Sequence, residues 1–313
     1  DFNNAGGVLG NTLKLEVGDD ACDPKQAVAL ASKTTGMNAK VVIGHFCSGS
    51  SIPASRVYND KKLLQISPAS TNPDFTDKRP GPGIFRVCGR DDQQGGIAGA
   101  YIAKNFKDKN IAILQDESAY GKGLAEETKK AMNAAGKKEV LFEAITPGEK
   151  DYTAVVSKLK QANVDVVFLG GYHKEGGLIV RQMRAQGMKA ILMGGDALVT
   201  KEYWDITGDD GEGTLMTFSP DPRKLPGAAE LVKRFRDQKV EPEGYVLYTY
   251  AAFQVWKQAA EKAKSFDTDK VIAAMSGTEF DTVIGKFTFD KKGDPNLPPY
   301  AIYHWSKGNY EQM

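Results

Sequence analysis

The sequence predicts an α/β protein made of two lobes, each a parallel sheet covered by helices. Strand-like and helix-like segments alternate along most of the chain, joined by short Gly- or Asp-rich turns, which is the pattern of repeated βαβ units. The alternation restarts at residue 111, giving two runs and hence two lobes. Residues 164–169 are almost wholly apolar, as expected for a strand of a parallel sheet covered on both faces.

The elements follow in order. Asp1 to Gly7 reads as the tail of a helix followed by its glycine stop. Residues 13–17 form a strand and 24–34 a helix. Residues 41–44 form a strand, with a helix from about Ile52. Strands at 63–67 and 84–87 precede a helix over 93–106, on which Gly95, Gly96 and Gly99 allow close packing. In the second run, 111–115 is a strand, 123–135 a helix and 140–144 a strand. Val155, Val156 and Leu159 place a helix over 152–162 by their spacing. After the strand at 164–169, a helix over 177–186 is stopped by Gly187. Strands follow at 190–193 and 215–218. Helices over 228–238, 245–264 and 269–275 lead to two closing β segments, 285–290 and 301–305.

Three joints read as hinges: Val87-Cys88-Gly89-Arg90, Ser219-Pro220-Asp221-Pro222 and Pro298-Pro299-Tyr300. Three crossings mean that the chain visits each lobe twice. The expected lobes are residues 1–89 with 222–299, and residues 90–221 with 300–313.

Composition narrows the function. Hydrophobic residues are 41% and charged residues 26% of the 313, as in a soluble globular protein. Lys+Arg 41 against Asp+Glu 40 leaves a net charge of +1, without the basic excess of a nucleic-acid binder. No apolar run approaches the ~20 residues that span a bilayer. Of the three cysteines, Cys22 and Cys47 are expected at the ends of neighbouring strands, where a disulfide is geometrically reasonable and would imply an oxidising compartment. The alternative is two buried thiols, and Cys88 reads as a small buried hydrophobe.

Catalytic and cofactor signatures are missing. His45, His173 and His304 lie far apart, without the ligand spacing of a zinc site, and each reads as a hydrogen-bonded structural group. No Gly-x-Ser-x-Gly elbow or P-loop occurs. Gly121-Lys122-Gly123 lacks the third glycine of a dinucleotide fingerprint and reads as a flexible helix start. No metal, cofactor or reaction is expected.

Five strands instead end in Gly, Ser, Thr, Tyr or Asp. These are His45-Phe46-Cys47-Ser48-Gly49, Ser67-Pro68-Ala69-Ser70-Thr71, Asp116-Glu117-Ser118-Ala119-Tyr120-Gly121, Gly170-Gly171-Tyr172-His173 and Gly194-Gly195-Asp196. Open α/β sheets bind ligands beyond the carboxyl ends of their strands. Ser48, Ser50 and Thr71, with the free amides of loop and helix starts, suit a carboxylate. Asp196 suits an ammonium group, and Tyr120 and Tyr172 can cover a ligand.

The segment Asp19-Asp20-Ala21-Cys22-Asp23-Pro24-Lys25-Gln26-Ala27 resembles the first signature of the leucine/isoleucine/valine-binding proteins, the periplasmic solute-binding components of branched-chain amino acid ABC transporters. Ile43-Gly44-His45-Phe46-Cys47-Ser48, Ile66-Ser67-Pro68-Ala69-Ser70-Thr71, Tyr120-Gly121-Lys122-Gly123-Leu124-Ala125, Gly170-Gly171-Tyr172-His173 and Asp281-Thr282-Val283-Ile284-Gly285 continue the match in order across essentially the whole chain. The resemblance implies a type I periplasmic-binding fold: two doubly wound parallel-sheet lobes joined by three crossovers, closing like a Venus flytrap on a ligand in the interlobe cleft. It implies a Cys22–Cys47 disulfide. It places ligand contacts at Ser48, Ala69, Thr71, Tyr120, Tyr172 and Asp196; Phe46 and Ser70, in the same strand-end clusters, are expected to line the site with them. It implies a monomer in the periplasm that delivers an amino acid to a membrane permease.

Two departures matter. Members of that family begin with a strand and helix ahead of the segment matching Asp1, and this chain lacks that first βα unit; the functional molecule is expected to carry it. Where leucine binders tend to have a small or aliphatic residue this chain has Phe46, and where they tend to have Glu as the ammonium partner it has the shorter Asp196. A phenyl ring fills space that a branched side chain needs, and overpacking costs on the order of 1–3 kcal/mol. Both changes resemble the branch that takes γ-aminobutyrate, proline and alanine, so the expected ligand is a small neutral amino acid, with γ-aminobutyrate leading. The rivals are leucine, isoleucine or valine binding in the same role, the ligand-sensing domain of a receptor, and a two-lobed enzyme.

Overall fold

A computed structural model describes residues 1–313. The chain forms two compact units. Unit 1 comprises Asp1–Gly89 and Pro222–Leu297, and unit 2 comprises Arg90–Asp221 and Pro298–Met313.

Unit 1 opens with α1 (Pro24–Thr35), β1 (Val41–Ile43), α2 (Ser48–Asp60), β2 (Leu64–Ser67), α3 (Asp74–Asp77) and β3 (Ile84–Arg86). The chain enters unit 2 with α4 (Asp91–Asn105), β4 (Ile111–Gln115), α5 (Ala119–Ala134), β5 (Leu141–Ala144) and α6 (Thr153–Gln161). There follow β6 (Val166–Gly170), α7 (His173–Ala185), β7 (Ile191–Gly194), α8 (Lys201–Thr207) and β8 (Leu215–Phe218). It returns to unit 1 for α9 (Ala229–Asp237), α10 (Val246–Ala263), α11 (Thr268–Met275), β9 (Phe280–Thr282) and β10 (Gly285–Phe287). It ends in unit 2 with β11 (Ala301–Ser306) and β12 (Asn309–Gln312).

In unit 1 the three strands run parallel in the order β1-β2-β3, and β9 and β10 form a separate antiparallel pair. Unit 2 has one sheet, β12-β11-β8-β7-β6-β4-β5, parallel from β8 to β5 and antiparallel at β11 and β12. The chain steps outward from β4 to β5, then returns across β4 to start β6. The direction of winding therefore reverses between β4 and β6, and the crevice at their carboxyl ends is where open α/β sheets receive ligands.

Burial explains why these segments are strands. All five residues of β4 and all five of β6 are buried. Ile113, Leu124, Val166, Phe168 and Met193 share one apolar layer, in which each buried side chain contributes roughly 1.5–3 kcal/mol. α4 crosses α5 closely because Gly95 and Gly99 face it, and a Cβ at Gly99 would come within 2.5 Å of the Thr128 carbonyl oxygen; Gly96 faces open space. In unit 1, Ala31 of α1 and Ala54 and Tyr58 of α2 pack with Leu63.

Several sequence expectations are corrected. Residues 13–17 are not a strand: no ladder pairs with them, and Leu15 and Val17 are 68% and 87% exposed. Alternating apolar residues become a strand only when a neighbour takes up their backbone groups. Here the one anchor is Asn3, whose side chain exchanges two hydrogen bonds with the Leu13 backbone at 2.7 and 2.9 Å. Cys22 accordingly lies in a turn, not at a strand end. α2 begins at Ser48 rather than Ile52, so Pro53 lies inside the helix and withholds an amide from the Gly49 carbonyl. α5 and α7 likewise begin earlier than expected, at Ala119 and His173. The strand expected over 285–290 ends at Phe287, where its pairing with β9 ends.

Candidate functional site

Two sets of polar groups sit at strand ends, one in each unit. In unit 1, Ser67 closes β2, and its hydroxyl donates to His45 O at 2.7 Å and accepts from Ser70 N at 2.9 Å. The loop after β2 is thereby tied to the loop after β1. Ser70 adds a second tie: its Oγ lies 3.0 Å from Phe46 O, 3.2 Å from His45 O and 2.7 Å from Ser51 Oγ. The Ser70 hydroxyl is thus engaged inside unit 1. Ser48 is the first residue of α2, and its Oγ accepts from Asn72 N at 3.2 Å. Thr71 stands between these anchors. It is fully buried, and its Oγ1 has no hydrogen-bond partner.

Sequence reading missed the group that shapes this loop. Arg86, the last residue of β3, is fully buried and pairs with Asp294 at 2.7 Å. Its guanidinium also donates to Ser70 O, to Asn72 O at 2.9 Å and to Thr76 Oγ1 at 2.7 Å. One planar cation therefore holds the carbonyls on both sides of Thr71. Its fork suits that task better than a lysine's single ammonium. An arginine inside the otherwise apolar Ile84-Phe85-Arg86-Val87 was the available signal.

Phe46 is half exposed, with its ring edge-on to Tyr245 at 5.8 Å. Ala69 is buried, and its amide donates to Ser67 Oγ at 3.3 Å. Phe46, Ser48, Ala69, Ser70 and Thr71 are thus brought together in unit 1. Cys22 and Cys47 form a disulfide with Cα atoms 5.5 Å apart, and Cys88 is a buried free thiol.

In unit 2, Tyr120 belongs to the first turn of α5 after β4, Tyr172 caps α7 after β6, and Asp196 follows β7. Tyr120 and Tyr172 therefore flank the switch point. Their rings are 5.0 Å apart, and Tyr120 donates its hydroxyl to Asp196 Oδ1 at 2.7 Å. Burial, then the Asp196 charge, pushes the Tyr120 phenol well above its ordinary range, so it remains a donor. Gln94 of α4 is the second partner that sequence reading missed. Its Nε2 donates to Asp196 Oδ1 at 2.9 Å and Asp91 Oδ1 at 2.8 Å, while its Oε1 accepts from Asp196 N at 2.9 Å and Thr217 Oγ1 at 2.7 Å. Asp196 is held from both backbone and side chain.

Gly121 has a packing role rather than a flexible one. A side chain there would collide with the Gly170 carbonyl, so the bare glycine lets α5 approach the end of β6 and carry Tyr120 to Tyr172. Asp116, beneath them, accepts from Ser118 N at 3.0 Å and Ser118 Oγ at 2.6 Å. Burial, reinforced by the Glu175 charge, nevertheless raises its carboxyl above the ordinary carboxylate range.

No group of three or more His, Cys, Asp and Glu side chains is arranged to hold a metal ion. His45 meets Asp20 and Tyr58, and His173 meets Glu202 at 2.7 Å. A family model described as "Periplasmic binding protein" matches residues 1–309. The chain belongs to the periplasmic binding protein family. This periplasmic binding protein is 51% identical over 312 residues to Leu/Ile/Val-binding protein homolog 1 of Brucella suis, covering 98% of this chain and 83% of that one. It is 45% identical over 317 residues to a Pseudomonas aeruginosa protein named amino acid binding protein, covering 100% of this chain and 84% of that one. Its fold matches the crystal structure of the leucine binding protein LivK from Thermotoga maritima with a TM-score of 0.92 at 25% identity, over 99% of this chain and 89% of that one. The expected type I periplasmic-binding fold is borne out. The chain is a solute-binding protein and not an enzyme, and its family works outside the cytoplasm. No helix is long and apolar enough to cross a membrane.

Proposed function

We propose that this chain captures a small neutral amino acid in the periplasm, as a monomer, and delivers it to the permease of an ABC transporter, with γ-aminobutyrate the leading ligand. The observation that carries the reading is Thr71. A buried hydroxyl without a partner costs about 1–3 kcal/mol, and a ligand carboxylate beside Ser48 at the start of α2 would recover it. Asp196, steadied by Gln94 and Tyr120, suits the ammonium end, and Tyr172 supplies an aromatic wall. The energy for transport would come from the partner's ATPase.

Ligand size rests on Phe46. Its ring is 50% exposed next to the carboxylate-binding residues, taking room from a branched side chain. The second reading, leucine, isoleucine or valine, is favoured by the 51% identical relative named for those three amino acids. Titration calorimetry with γ-aminobutyrate and with leucine separates the two. Tight leucine binding with no response to γ-aminobutyrate rejects the leading ligand. A thermal-shift screen in which no amino acid raises the melting temperature rejects the whole proposal, since any ligand of the native state stabilises it by mass action.

A further inference from the structure

The loop that carries Phe46 and Ser48 is joined twice to the turn before α1. His45 and Cys47 flank Phe46. Cys47 is bonded to Cys22, and His45 Nδ1 meets the carboxylate of Asp20, two residues before Cys22. A covalent link and a polar link thus run side by side between the same two segments, one on each side of Phe46. The imidazole is fixed at its other nitrogen by Tyr58 Oη of α2, at 2.8 Å. His45 and Tyr58 are 6% and 1% exposed, so these bonds work largely out of water.

The turn is built to present both partners. Ala21 and Cys22 both adopt left-handed backbone conformations, with φ of 51° and 56°. Residues without the freedom of glycine persist there only where their surroundings over-determine them. Asp19 accepts from Ala21 N at 2.8 Å and Asp20 from Cys22 N at 2.7 Å, so the turn is locked by its own carboxylates. Burial pushes the Asp20 carboxyl upward, but the His45 and Cys22 hydrogen bonds outweigh it and hold Asp20 below the ordinary range. The pair is therefore an ionised carboxylate on a buried imidazole, stronger than a neutral hydrogen bond.

We infer that Asp20 and His45 are positioning residues for ligand recognition: they share with the Cys22–Cys47 disulfide the task of orienting Phe46 and Ser48, and either link alone suffices to hold the loop. This rests on the amino-acid reading of the site. The backbone of His45 is already anchored through Ser51 and Ser67. What the two links add is the direction in which the chain leaves His45, and hence the placement of the Phe46 ring and the start of α2.

The test is a double-mutant cycle read by affinity and selectivity. Asp20→Asn, Cys22→Ala with Cys47→Ala, and the triple variant are titrated with γ-aminobutyrate and with leucine, below the melting temperature of each. Each change alone is expected to weaken binding about 3-fold or less, while the triple variant loses on the order of 30-fold or more, beyond the product of the two. The ratio of the two dissociation constants is expected to shift only in the triple variant, a change that lower stability alone does not produce. Asp20→Glu in the disulfide-free background is expected to restore part of the loss. A folded triple variant with wild-type affinity and selectivity, or losses that simply multiply, overturns the inference while leaving the amino-acid reading intact. If wild type binds neither compound, the amino-acid reading fails, and this inference with it. If the triple variant does not fold, Tyr58→Phe in the Cys22→Ala, Cys47→Ala background carries the same test through the other imidazole nitrogen, with the same outcomes deciding it.

Discussion

Arg86 and Asp294 meet 2.7 Å apart in the interior of unit 1, 208 residues apart in sequence, and the same guanidinium grips the carbonyls on both sides of Thr71. Removing one member leaves an uncompensated buried charge. Asp294→Ala is therefore expected to lower the free energy of unfolding by about 3–5 kcal/mol in urea titrations. Arg86→Lys keeps the charge but loses the fork, so it should lose ligand affinity even where the fold survives.

Thr71→Val tests the ligand role with little change of shape. Losing the unpartnered hydroxyl should leave stability unchanged or raise it by about 1 kcal/mol in the ligand-free protein. Amino-acid affinity should fall roughly 10-fold or more, which corresponds to a lost hydrogen bond to a charged group. Lower stability with unchanged affinity would assign Thr71 a structural role instead.

Tyr120→Phe removes one of the donors holding Asp196 Oδ1. A hydrogen bond to a charged group contributes about 1.5–3 kcal/mol, so both the melting temperature and the affinity should fall. Asp196→Asn should cost more affinity than stability, because Gln94 still holds the backbone amide of residue 196.

Asp116 sets a pH dependence. Its folded carboxyl titrates above the ordinary value of 3.8, so the native state binds this proton more tightly than the unfolded chain does. That term works against the fold above the raised folded value, and the native state gains stability as pH falls through that value toward 3.8. Asp116→Asn should stabilise the protein at neutral pH and flatten this part of the curve. Urea midpoints of both proteins across the acid range check the sign.

Reduction of the Cys22–Cys47 link, which closes a sequence separation of 25, releases loop entropy in the unfolded chain. The chain-entropy relation gives about 3.5 kcal/mol, to be read as a lower urea midpoint in reductant.

Much of the architecture could be read from local pattern. The spacing of Val155, Val156 and Leu159 marks α6, and the apolar run through Phe168 marks β6, because helix and buried-strand periodicities are written in neighbouring residues. The Gly, Ser, Thr, Tyr and Asp clusters at strand ends were legible for the same reason. Leu13, Leu15 and Val17 were misread because a strand depends on a partner that local pattern does not contain.

The amino-acid order alone was enough to settle the alternation and the fold class and to mark the polar strand ends, since each depends on chemistry within a few positions. Only the folded chain decided what holds those residues in place. Arg86 on Asp294, Gln94 on Asp196 and Asp20 on His45 join positions distant in sequence, and such pairs form only once burial has excluded water and left each polar group with one another as partners.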